Sequence, residues 1–235
     1  MTIARVMAFV LVVGLAASPA FAQISDGVIK MGVLNDQSSL YADLAGQGSV
    51  VAARMAVEDY GAEKKGLKVE IIFADHQNKA DVGSSVVNQW FDVEKVDMVV
   101  DVPNSGVALA VSEIARVKNK AFIVSGAAAG KFPTMVQAGV YAGVTHYLKA
   151  VSALKSAGDG KAVIAKMKEL PTDDPLFGKG TVRADGRKVH DAYLFEVKKP
   201  AESKYPGDFY HLRATIPAAE AFRPVKDGNC PLAGS

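Results

Sequence analysis

Between residues 28 and 125, short β-branched runs alternate with helical stretches, and that alternation leaves few folds open. Residues 28–34 are an apolar run ending at Asn35-Asp36, and a polar loop through Gly48 follows. Residues 50–60 then place Val50, Ala53, Val57 and Tyr60 on one helical stripe. Residues 67–74 alternate as a strand. Residues 81–93 gather Val82, Val86, Trp90 and Val93 on one helix face, with Gly83 weakening only the first turn. A strand over 96–102, a helix over 108–117 and a strand over 121–125 complete a β-α-β-α-β-α-β order. This predicts an α/β fold, a parallel doubly wound sheet with right-handed crossovers. Ligands of such sheets bind at the carboxyl ends of the strands. Here those ends are residues 35–39, 75–77, 103–105 and 125–127, all small or polar.

After Ala129 the rhythm stops. Pro133 opens a long helix to about residue 155, with Val136, Val140, Val144, Tyr147, Val151 and Leu154 on one face. A shorter helix over 161–170 is closed by Pro171, and residues 173–180 read as a loop. Residues 181–183, 190–197 and 209–215 read as antiparallel strands, the first two joined through Ala184-Asp185-Gly186. These are too few for a second α/β sheet like the first.

The amino terminus carries a different signal. A short positive start at Met1–Arg5, an apolar run over residues 6–17 and the small residues of Ala20-Phe21-Ala22 form a secretory signal peptide, with cleavage expected before Gln23. The run is shorter than the roughly 20 residues of a bilayer span. The mature chain is therefore expected outside the cytoplasm. Acidic and basic residues are interleaved at a net charge of +2, which gives no support for nucleic acid as a partner. The one cysteine, Cys230, has no partner within the chain.

The motifs that would indicate an enzyme or a cofactor fit poorly. Gly46-Gln47-Gly48 lacks the third glycine of a dinucleotide fingerprint, since Val51 stands there, and its loop is too long to bring a helix start under the strand end. Ser125 lacks the flanking glycines of a nucleophile elbow, having Ile123 and Ala127 instead. His76, His146, His190 and His211 show no metal-ligand spacing. No cofactor or metal is expected. The strand ends suit a cradle for a zwitterion, in which helix-start amides face a carboxylate. Asn104-Ser105 and Ser38-Ser39 can supply those donors, and Tyr41 an apolar face with a hydroxyl. Asn104 and Ser105 are equally good helix caps whatever the function.

Residues 28–36, 40–48 and 56–61 resemble the opening of the periplasmic branched-chain amino-acid-binding proteins, and Asp75–Gly83 and Ser125–Ala128 continue the likeness. Pro133–Tyr141 and Asp185–Asp191 are similar to that family's carboxyl-terminal part. The resemblance implies a receptor that closes two lobes around a small amino acid or related carboxylate and delivers it to an ABC permease in the inner membrane. Carried over, the ligand contacts fall on Ser39, Tyr41, Asn104, Ser105, Ala127 and Ala129, with Gln137 near a position that touches the ligand side chain. Ala129 stands where the family has threonine, so one hydroxyl acceptor is lost.

The resemblance also implies an absence. In the family, the turn at 127–129 leads into a second lobe, and the segment at 131–133 comes far later. A block on the order of 150 residues, a domain's worth, is expected to be gone. The family's terminal cysteine, here Cys230, has its disulfide partner in that block. The expected organisation is a signal peptide over 1–22, the first α/β lobe over 23–130 and a remnant of the carboxyl-terminal part, helices plus strands, over 131–235. Half a site implies weakened binding or a remnant that no longer binds. Strands that have lost their sheet imply an exposed apolar patch prone to self-association. An exported enzyme using Ser125 or the histidines is the remaining alternative, disfavoured by the missing spacing.

Overall fold

The computed structural model describes residues 27–125, 135–206 and 208–228. The signal segment, Ala127, Ala129 and Cys230 lie outside the described residues.

Strands β1 (Ile29–Asn35), β2 (Val69–Asp75), β3 (Met98–Asp101) and β4 (Ala121–Val124) form one parallel sheet in the order β2-β1-β3-β4. Side chains of β1 alternate across it as the pleat requires. Ile29, Met31 and Val33 enter one apolar cluster, with α1 (Gly46–Tyr60), α4 (Met135–Leu154) and α5 (Gly160–Glu169). Leu34 enters the other, with α2 (Ala80–Asp92) and α3 (Ser105–Val117). Two helical layers thus enclose the sheet, the doubly wound arrangement expected. The chain leaves β1 for β2 on one side and returns past β1 to β3 on the other. This reversal opens a crevice at the carboxyl ends of β1 and β3.

Close packing fixes the layers. Gly32 lies under the indole of Trp90, where a Cβ would run into the ring. The face that α2 buries is rotated from the one read in sequence. Val87, Trp90 and Phe91 are buried, whereas Val93 is 71% exposed. Trp90, the largest side chain of α2, claims the space above Gly32 and carries Val87 and Phe91 inward with it. The face read for α4 is correct: Val136, Val140, Val144, Tyr147 and Val151 are all buried.

Three further boundaries differ from the sequence reading. Helix α1 begins at Gly46, so the loop after β1 does not extend through Gly48. Within that helix the bare backbone of Gly48 abuts the end of the Gln137 side chain of α4, which an added Cβ would displace. Residues 173–180 are not simply a loop: β5 (Thr172–Asp174) pairs antiparallel with β6 (Gly178–Val182), and Asp174 holds the turn by accepting from the amides of Leu176 (3.0 Å) and Phe177 (2.8 Å). The single strand read over 190–197 is two, β7 (Lys188–His190) in the β5-β6-β7 sheet and β8 (Ala192–Val197) in a ribbon with β9 (Tyr210–Ile216). The break falls at Asp191. Its carbonyl meets His190 Nδ1 at 2.7 Å and its carboxylate accepts from the amide of Ala218 at 2.9 Å, anchoring the short helix α6 (Ala218–Ala221). Among the described residues, no helix is long and apolar enough to cross a membrane.

Candidate functional site

At the crevice, the loop after β1 is built around one carboxylate. Asp36 is fully covered, and it accepts from the amides of Ser38 (3.3 Å), Ser39 (2.9 Å) and Tyr41 (2.7 Å), the Ser39 hydroxyl (2.7 Å) and Asn78 Nδ2 (2.6 Å). An aspartate followed by serines readily makes such a turn, because its short side chain reaches the amides two and three residues on. Desolvation alone would raise the Asp36 carboxyl. The hydrogen bonds from Ser39 and from the amides of Tyr41, Ser39 and Ser38 outweigh it, and the group sits below the ordinary carboxylate range.

Asp75 does the same one strand over. It accepts from the amide of Gln37 (3.1 Å), the Ser38 hydroxyl (2.5 Å) and the amide of Gln77 (2.7 Å). Desolvation is again opposed by these bonds, and the carboxyl is held low. Between the loops stands Asn78, in the left-handed region at φ 54°. Besides Asp36, its amide nitrogen meets Ser39 Oγ at 2.9 Å, and its Oδ1 accepts from Asn104 Nδ2 at 3.4 Å. Asn78 therefore ties the loops after β1, β2 and β3 together. Behind it, buried His76 accepts from the Asn78 amide through Nδ1 at 3.0 Å. Burial lowers its pKa against the pull of Asp36 and Asp75.

The third carboxylate lies deeper. Asp101, wholly buried, accepts from Asn35 Nδ2 at 2.8 Å and from the Ser125 hydroxyl. It joins the ends of β1, β3 and β4. Asp101 and Val102 both have positive φ, 94° and 53°. For β-branched Val102 this is an unusual and costly conformation, of the kind concentrated at binding loops. Burial pushes the Asp101 carboxyl up, against hydrogen bonds from Ser125 and Asn35 among others. A folded-state pKa above the unfolded value stabilises at low pH, and that contribution is lost as pH rises from the ordinary aspartate value of about 4. Asp101→Asn is therefore expected to gain stability relative to the parent as pH climbs from about 4 to 7. Melting curves across that range check this; parallel pH profiles for the two proteins would contradict it.

The residues singled out in sequence divide as follows. Ser39 and Asn104 are brought together through Asn78. Asn104 also caps α3, its Oδ1 accepting from the amide of Val107 at 3.1 Å, and exposed Ser105 is the first residue of that helix. Tyr41 packs on a small cluster of Leu44, Ala45 and Val136, which joins the loop after β1 to the start of α4. Gln137, the next residue, lies against Gly48. Ser125, weighed as a nucleophile, gives its hydroxyl to Asp101. Asp36 and Asp75 were read only as members of the polar strand ends, and Asn78 and Asp101 carried no assigned role in the sequence reading. The aspartate-then-serine spacing at 36–39 was the one local signal that could have found any of them.

A polar cluster thus lies at the switch point of an open doubly wound α/β sheet, the place where sheets of this class take their ligands. The profile of one family, described as periplasmic binding protein, matches residues 28–133 and again residues 124–204. The chain belongs to that family. Among solved structures, a periplasmic binding protein from Burkholderia mallei is similar over 87% of this chain and 99% of its own, at 24% identity and a TM-score of 0.76. A branched-chain amino acid ABC transporter periplasmic ligand-binding protein from Burkholderia xenovorans LB400 is similar over 87% of this chain and 100% of its own, at 24% identity and a TM-score of 0.78. A solute-binding protein of an ABC transporter from Rhodopseudomonas palustris BisB5, in complex with 3,4-dihydroxybenzoic acid, matches 81% of this chain and 98% of its own at 12% identity and a TM-score of 0.66. These likenesses show the fold. No curated protein matches the chain.

Proposed function

We propose that the chain is an exported solute receptor of an ABC transporter, acting in the periplasm and binding a small amino acid or aromatic carboxylate at the carboxyl ends of β1 and β3. The observation that carries this reading is the Asn78 junction. It holds Ser39 and Asn104 on adjacent loops at the switch-point crevice of a chain that belongs to the periplasmic binding proteins. In this reading the amino end of α3, at Asn104 and Ser105, faces the ligand carboxylate. Tyr41 and Gln137 border the ligand side chain, and Ala127 and Ala129 are the remaining contacts that the family resemblance implies. The partner is a permease of the inner membrane. The branched-chain amino acid and dihydroxybenzoate named for the two structural relatives set the ligand classes to try.

We also infer that most of a second lobe is missing at the join. The two stretches of the family profile meet within residues 124–133, where the chain passes from β4 to α4. One lobe leaves a ligand half in water, where each polar contact is weakened by the high dielectric constant. Weak affinity is the expected consequence.

Thermal unfolding of residues 23–235, with leucine, isoleucine, valine, phenylalanine, benzoate and 4-hydroxybenzoate in turn, tests the reading. A ligand at about 100 times its dissociation constant adds about 2.7 kcal/mol. An upward shift with one compound of the panel is expected. A second reading, a remnant that binds nothing, has one observation in its favour. Ser39 and Asn104 already spend their polar atoms on Asp36, Asn78 and the cap of α3. Indifference to every compound at millimolar concentration is the result that selects it.

A further inference from the structure

The ribbon of β8 and β9 is the part of the molecule least explained by a solute site. Its register puts Tyr193, Phe195, Val197, Tyr210 and Leu212 on one face, since Phe195 pairs with Leu212 and Val197 with Tyr210, and strand residues two apart share a face. All five are 46–72% exposed. Their rings form a continuous strip, with Tyr193 to Phe195 centroids 6.2 Å apart and Phe195 to Tyr210 5.8 Å apart. The opposite face is mixed, with Leu194, Ala214 and Ile216 beside Glu196 and His211, and it lacks the run of rings. Arg213, the extra residue of the bulge opposite Leu194 and Phe195, binds Glu196, which lies beside His211. At the ribbon end, Lys198 and Asp208 pair at 2.5 Å.

A two-stranded ribbon with one bare apolar face is marginal in water unless something packs on it. Among the described strands, β8 and β9 pair only with each other. We propose that the occupant is a second copy of this chain, the two apolar faces packing across a two-fold axis as the inner layer of a small sandwich. The strip carries no charged side chain, so two copies meet without opposing like charges. The area is adequate. The three aromatic side chains offer about 150–250 Å² each and Val197 and Leu212 somewhat less, so the five, about half exposed, present on the order of 500 Å² per copy. Two copies then bury about 1,000 Å², the lower bound of a specific interface. The glutamate, arginine and lysine stay on the outer face, in water. This pairing is independent of whether the crevice binds a solute.

Light scattering after size exclusion, run on the whole mature chain at micromolar and hundred-micromolar concentrations, tests the proposal. The expected result is twice the chain mass at the higher concentration. Phe195→Asp and, separately, Leu212→Lys are expected to return the mass to one chain, with an unchanged melt of the α/β body. Leu194→Glu, on the opposite face, is expected to leave the pair intact. A parent that stays monomeric throughout would overturn the proposal, as would a pair that survives both charge substitutions or an open-ended polymer. A monomer whose melt falls sharply with Phe195→Asp would show instead that the chain covers the strip itself.

Discussion

Trp90→Ala is expected to destabilise the protein by about 3–5 kcal/mol, the range for deleting a buried aromatic side chain. Trp90 is 5% exposed and closes the core between α2, α3 and the sheet, with Val87, Phe91, Val99 and Val107. It is also the lid over Gly32, so its loss empties the space that the glycine was left bare to admit. At 2–4 °C per kcal/mol for a chain of this size, the melting temperature should fall by about 10 °C. Gly32→Ala is the complementary test. Its methyl would enter the occupied ring space and cost about 1–3 kcal/mol through overpacking. Urea unfolding of both variants measures these effects. A loss below about 1 kcal/mol for Trp90→Ala would mean that the ring does not close this core.

Asp36→Ala should be nearly as costly and more damaging to the site. Five hydrogen bonds converge on that carboxylate, and removal strands the amides of Ser38, Ser39 and Tyr41 together with Asn78. Bonds to a charged acceptor contribute about 1.5–3 kcal/mol each in isolation, but water can replace those nearest the surface. A net loss of about 2–4 kcal/mol is expected. Asp36→Asn, which keeps one acceptor oxygen, should lose less. Because the Asp36 and Asp75 carboxyls are held low, their stabilisation is present above the ordinary value of about 4 and is lost as pH falls through it. The acid limb of the stability profile should therefore flatten in Asp36→Ala. An unchanged acid limb would show that the network contributes little to folding.

These two residues also show what sequence could and could not disclose. The four parallel strands were legible because β-branched runs alternate with helical stripes at the lengths that βαβ units demand. The amino end of α3 was legible because Asn104 is a good cap. Trp90 was placed on the right helix, but its stripe was read too far round. Periodicity weights Val82 and Val93 as heavily as Val87, and only the glycine across the sheet decides. Asp75 and Asp101 went unassigned because they pair with Ser38 and Asn35 at separations of 37 and 66 residues, and although the serines after Asp36 gave a local signal, its bond to Asn78 spans 42. No local pattern records such distances. Of the carboxyl-terminal strands, β5 was read as loop, and β7 and β8 were found but merged, since nothing about Asp191 in sequence marks the point where one sheet ends and the ribbon begins.

The proposed site for a small carboxylate is the crevice over β1 and β3. Amide chemical-shift mapping, with whichever compound raises the melting temperature, tests it most directly. The largest shifts are expected on residues 36–41, Asn78, Asn104 and Ser105. Shifts that gather instead around the antiparallel strands of residues 172–216, or that scatter without a centre, would contradict it.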